Sequence, residues 1–200
     1  MLFGSDQFYQ CPKCSNILYR GSLISGNNMG AKLYSDGKEI APMLIEFPVI
    51  SKCPKCNTIF WLENEIEIQK HVDSEEAEFL TISDYQTALK NKLFRSKEEE
   101  IYIRKGIIWE FNDRLRNGDT LIDTESEKEI WTDNIQKLIP LLDQNDLEEK
   151  ILIIELLRYQ GNFKKSRDLL NTINNSEEEW LIRLFDKEIA NKNKNVFQLY

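Results

Sequence analysis

Apolar residues recur at helical spacing from about residue 96 to the C-terminus, with polar residues filling the positions between them. The pattern predicts helices over 97–117, 126–142, 146–160, 163–173 and 177–191, and a weaker one over 84–92. Three starts carry a capping-box signature, in which a side-chain oxygen and a Glu three residues later satisfy exposed amides: Ser96/Glu99, Ser126/Glu129 and Ser176/Glu179. Gly118 and Gly161 stand where helix stops belong, and Pro140 ends or kinks the helix that contains it. Before residue 70 the pattern is different. Short strand-like runs, Ile17 to Tyr19, Ala31 to Tyr34 and Ile59 to Trp61, alternate with glycine-, proline- and asparagine-bearing turns, and Asp36-Gly37 marks a tight hairpin. Pro42 and Pro48 confine Met43 to Phe47 to an edge strand or an extended segment. Asp73 to Ala77, acidic and without period, reads as an exposed connection.

The helical faces sharpen this picture. On 97–117, Ile101, Ile108, Phe111 and Leu115 form one stripe expected in the core, and Tyr102 and Trp109 form a second about 100° away. The second stripe either packs against a neighbour or, if both rings are exposed, binds a protein partner. Glu110 and Arg114, four apart, are expected to form a solvated ion pair, so the charged set that also holds Asp113 and Arg116 is not taken as catalytic. The helix over 146–160 is apolar nearly all round, from Leu147 to Tyr159, and must be covered on several sides at the centre of its domain.

Charge follows the same division. Residues 1–70 carry equal numbers of acidic and basic side chains, so the net charge of −8 belongs entirely to residues 71–200. That sign disfavours broad attraction to phosphate backbones or anionic lipid, and a nucleic-acid partner is not expected. The single histidine, His71, excludes two-histidine metalloprotease helices and is read as a surface or boundary residue. No apolar run approaches the roughly 18 to 20 residues of a membrane span. Met1 to Asp6 has neither the basic nor the apolar region of a signal peptide, which predicts a cytoplasmic location. Gly26 to Lys32 and Ser35 to Lys38 imitate phosphate-loop and Ser-x-x-Lys motifs, but the first leads into a strand and the second is a turn.

All four cysteines lie in two copies of one motif, Cys11-Pro-Lys-Cys14-Ser-Asn-Ile-Leu-Tyr and Cys53-Pro-Lys-Cys56-Asn-Thr-Ile-Phe-Trp. Two Cys-x-x-Cys turns supply the four thiolates of a tetrahedral zinc shell, and the hairpins between them account for the 38 intervening residues. Cys11, Cys14, Cys53 and Cys56 are therefore the expected ligands of one structural zinc ion. The alternatives are iron in a rubredoxin-like site and redox dithiols, but redox motifs open a helix and these turns open strands. Four thiolates close the shell and leave no position for a reacting water.

These knuckles make the first part resemble a zinc ribbon, with Ser15 and Asn57 where the family commonly has glycine. Gln160-Gly161-Asn162-Phe163 and Ser166, with Leu170 and Ile173 beyond, resemble the turn and second helix of a tetratricopeptide repeat. The layout as a whole resembles that of uncharacterised bacterial proteins that pair these modules, a resemblance that implies no reaction. The expected fold is α+β: a small antiparallel β zinc ribbon over 1–70, a linker with a short helix over 71–95, and an all-α domain of tetratricopeptide-like hairpins over 96–200. The expected function is a non-enzymatic interaction or adaptor protein with a protein partner, bound near Tyr102 and Trp109. A nucleic-acid regulator using Lys13, Lys52 and Lys55 of the ribbon, or an enzyme with an unrecognised carboxylate site, are the alternatives.

Overall fold

The computed structural model describes residues 1–67, 73–173 and 178–200, so His71 and Ser176 lie outside the described residues. Along the chain run β1 (Leu2–Phe3), β2 (Gln7–Gln10), β3 (Ile17–Arg20), β4 (Leu23–Ser25), β5 (Lys32–Leu33), β6 (Glu39–Ile40), β7 (Ile50–Lys52), β8 (Ile59–Trp61) and β9 (Glu75–Glu76). Then follow α1 (Ile82–Lys90), α2 (Lys97–Arg116), α3 (Glu125–Leu138), α4 (Leu147–Tyr159), α5 (Phe163–Leu170) and α6 (Glu179–Ala190). Small antiparallel sheets followed by helices make an α+β chain, as the periodicity predicts. Two units form. One is built from Met1–Ala31 and Ile40–Arg95, the other from Lys32–Glu39 and Ser96–Tyr200.

In the first unit, β2 pairs antiparallel with β3, and β7 with β8, so each cysteine turn is carried at the end of its own hairpin. The stretch expected to be an exposed acidic connection is instead a strand: β9 pairs parallel with β3, Leu18 opposite Glu75 and Tyr19 opposite Glu76. Its backbone completes the sheet while both glutamates stay exposed, and Ala77 beyond them is buried. The residues from Asp73 to Arg95 belong to this unit, with Leu80, Tyr85 and Ala88 in its interior. Helix α1 is held by a full capping box, in which Thr81 accepts from the Asp84 amide and Asp84 accepts from the Thr81 amide. No strand forms over Met43 to Phe47, which turns at Ala41–Leu44 and then runs irregularly.

The second unit is ordered by its caps. Ser96 accepts from the Glu99 amide as expected. The third helix starts earlier than Ser126/Glu129 implies, because Thr124, held in extended backbone, accepts from the Glu127 amide at 3.2 Å. Both predicted glycine stops are present. The amides of Gly118 and Asp119 donate to Leu115 and Arg114, those of Gly161 and Asn162 to Arg158 and Leu157, and both glycines take positive φ. Helices α4 and α5 form a hairpin in which the fully buried Ser166 donates its hydroxyl to the Ile154 carbonyl at 2.9 Å. Ile154, Leu170, Ile173, Leu181, Phe185 and Ile189 make the core beneath it.

The segment Lys32–Glu39, which holds the β5–β6 turn, belongs to this second unit. Asp36 and Ser35 are each about 1% exposed, and they enter a buried polar network with α2 and α4. Asp36 takes a hydrogen bond from Asn112 at 2.7 Å and an ion pair from Arg116, whose other partner is Asp113. Ser35 donates to Glu155 at 2.5 Å, and Arg158 grips both oxygens of Glu155 at 2.6 and 2.8 Å. Arg158 also donates to the Asn193 and Asn195 carbonyls, tying in the C-terminal tail. The solvated Glu110–Arg114 pair does not form. Arg114 turns instead to Glu127 at 2.7 Å on α3, because Glu127 already accepts the Asp123 amide and is held in place for it.

Candidate metal centre

The two knuckles repeat one another bond for bond. Cys11 N–H donates to Asn16 O at 2.8 Å and Ser15 N–H to Cys11 O at 3.0 Å; Cys53 N–H donates to Thr58 O at 2.9 Å and Asn57 N–H to Cys53 O at 2.8 Å. Both turns need a residue in the left-handed region after the second cysteine, and Ser15 at φ 59° and Asn57 at φ 58° provide it. The absence of glycine therefore leaves the geometry of the first knuckle intact. Each turn ends on an apolar strand whose first turn of side chains, Leu18 and Ile59, is buried.

The hairpins bring Cys11, Cys14, Cys53 and Cys56 together, with all four Sγ atoms within 4.8 Å of one another. Cys11 lies 3.6 Å from Cys56, and Cys14 lies 3.6 Å from Cys53, so the close pairs cross between knuckles. A tetrahedron of bonds about 2.3 Å long has edges of about 3.8 Å, so this arrangement fits one zinc ion at its centre. It does not fit disulfides, whose sulfurs sit about 2.05 Å apart. Cys11 and Cys53 are buried and Cys14 and Cys56 half-buried, so the cysteines themselves form part of the interior with Tyr9, Leu18 and Leu62.

The thiols are electrostatically unequal. The hydroxyl and amide of Thr58 stabilise the Cys56 thiolate and bring its pKa down to about 6. At Cys14 the Asn16 amide pulls the same way, but burial and the three neighbouring thiols outweigh it and push the pKa up to about 12. Four thiols this close cannot all ionise on their own account. A dication at the centre would reverse the sign of their mutual effect and let all four act as thiolates, and four thiolates would fill its shell. Thr58 escaped notice on sequence grounds, although its place two residues after Cys56 matches that of Asn16 after Cys14.

The other predicted positions lie in the second unit. Tyr102 and Trp109 are both half-buried. Trp109 donates its Nε1–H to the Asp36 carbonyl at 3.2 Å, and the Lys105 ammonium stands 4.9 Å from its ring centre, so much of this side chain serves the hairpin. Of the core stripe, Ile108 and Phe111 are buried, and Ile103 and Ile107, which lie outside that stripe, are buried with them. This unit also contains a cavity of about 700 Å3, bounded by the hairpin, α2, the start of α4, the start of α6 and the C-terminal tail. No helix among the described residues is long and apolar enough to cross a membrane. No protein family, curated protein or solved structure matches the chain.

Proposed function

We propose that this chain is a non-enzymatic interaction or adaptor protein whose first unit, a zinc ribbon, is held folded by one structural zinc ion. The observation that carries the reading is the crossed set of four sulfurs presented by two matching knuckles. A closed shell supplies folding free energy and no reactive position, so function is expected on the helical unit. Protein is favoured over nucleic acid as the partner. Lys13 and Lys55 are exposed on the knuckles, but Lys52, the third cation a basic ribbon face needs, is bound to Asp84 at 2.9 Å.

An enzyme working in the cavity is the rival with an observation behind it, because carboxylates gather there. Two of them are committed to structure: Asp146 caps α4 by accepting from the Glu149 amide, and Glu149 accepts from the Asp143 amide. Elemental analysis of the reduced protein should give one zinc per chain. The zinc-loaded chain should capture a protein at stoichiometric level and re-form that complex from purified components. Four freely reactive thiols in a folded chain would overturn the zinc assignment, and turnover of a small molecule in the cavity would overturn the adaptor role.

A further inference from the structure

The cavity in the second unit has three properties that together describe a ligand. Its floor is apolar, built from Leu33, Ile101, Ile151, Leu152, Leu181 and Leu199. Its charged lining, leaving aside Asp36 with its arginine, is Glu39, Asp146, Glu148, Glu149 and Glu178 against Lys105, five carboxylates to one ammonium and so an excess of four negative charges. The side chains of Glu39 and Glu148 have no hydrogen-bond or ion-pair partner among the described residues. At the edge stands Trp180, 43% exposed, with its ring 6.2 Å from that of Tyr200, itself 56% exposed.

These properties argue against a bound metal ion. Among the described residues the four cysteines are the only group of three or more ligand side chains close enough to share one, so the carboxylates of the cavity stand too far apart. Spread around an apolar floor, they match a larger cation that also carries apolar surface. An exposed aromatic ring beside carboxylates is a cation-recognition arrangement, the ring face attracting an ammonium or guanidinium whose charge the carboxylates neutralise. About 700 Å3 also lies within the roughly 300 to 1,000 Å3 typical of ligand sites.

We infer that this cavity binds a peptide segment of a protein partner that presents a lysine or arginine beside an apolar side chain. The apolar side chain meets Ile101 and Ile151, and the cation meets Glu39, Glu148 and the Trp180 face. A free polyamine would satisfy the carboxylates and leave the apolar floor uncovered, which is why a peptide is chosen. Lys105 lines the cavity and stands over Trp109, so the site adjoins the Tyr102 and Trp109 face of α2. The inference rests on the adaptor reading and names its surface.

The test is selection of displayed random heptapeptides on the zinc-loaded full chain, followed by fluorescence anisotropy of an enriched peptide. The expected result is enrichment of Lys or Arg next to Leu, Ile or Phe. Affinity should fall about tenfold or more in Glu39→Lys/Glu148→Lys. It should fall several-fold in Trp180→Ala. Glu39→Gln/Glu148→Gln, which only removes charge, should show a smaller loss in the same direction and serves if the reversed variant fails to fold. Enrichment without basic residues, or an affinity that neither glutamate pair alters, would overturn the site. So would spermidine displacing the peptide at equal concentration, which would assign the cavity to free cations. A native partner held equally well by the charge-reversed chain would leave the adaptor role standing and remove this site. Selection of such peptides by a chain that captures no native protein would do the opposite.

Discussion

The two units solve the problem of a small interior in different ways. In the first unit, two of the six buried residues of the core cluster are Cys11 and Cys53 of the tetra-cysteine site, so the groups that could hold a metal stand where a larger unit would place apolar side chains. Among the described residues, ten of the twelve exposed large hydrophobics also lie there, among them Leu2, Phe3, Ile24 and Met29. The helical unit instead buries a wholly apolar cluster around Ile154 and then adds a fully buried set of charges, Asp36, Glu155 and Arg158. On the proposed reading one unit is held at a single metal-binding point, and the other is held by packing plus paired charges. The difference teaches where each is vulnerable: removal of one ion should melt the first and leave the second, and a buried charge without a partner should do the reverse.

The largest effect expected is from Cys53→Ser. Binding free energies of structural zinc are on the order of 10 kcal/mol, so on the proposed reading losing one of the four thiolates should unfold the first unit. Far-UV circular dichroism should retain most of the helical signal while zinc content falls. Loss of both signals together would show that the two units do not fold separately.

Next is Ile154→Asp, which places an unpaired carboxylate at a position 0% exposed in the second core. A cost on the order of 4 kcal/mol is expected, with helix content lost and one zinc still bound. Asp36→Ala comes third. Arg116 keeps Asp113, so the loss should be about 2 kcal/mol, less than for a buried pair broken outright. A fragment of residues 96–200, which looks complete on sequence grounds, lacks Ser35 and Asp36 and should melt below the same helices in the full chain.

A smaller effect concerns pH. Hydrogen bonds from Arg114 and from the Asp123 amide hold Glu127 down to a pKa of about 2, well below an unfolded glutamate. A depressed carboxylate stabilises the fold above its unfolded pKa and loses that contribution as pH falls through its folded value. Acid titration of Glu127→Gln should therefore show a shallower loss of helix stability between about pH 4.5 and 2 than the parent chain. The smallest effect is at the knuckles. Ser15 sits at positive φ, so Ser15→Gly should raise the stability of the first unit by up to about 1 kcal/mol, and Asn57→Gly by less, since asparagine tolerates that backbone better. Chelator titration of the two variants separates them.

Local signals in the sequence determined a good deal. The doubled Cys-Pro-Lys-Cys motif picked out the four cysteines that cluster in the fold, because a turn of four residues and the strand after it are specified by neighbours in the chain. Helical periodicity and the glycines at 118 and 161 located the helices within a few residues, since caps and stops are also local. What needed the tertiary structure was every choice among distant partners. Arg114 had a local partner in Glu110 and took Glu127 instead, and Glu75 and Glu76 looked like solvent-exposed linker until β3 offered an open edge. The Asp36-Gly37 turn was legible as a hairpin, but its allegiance was not. Asp36 is bound to Arg116, 80 residues away, and Ser35 to Glu155, 120 away, and both contacts are stable only because the interior excludes the water that would otherwise satisfy those charges.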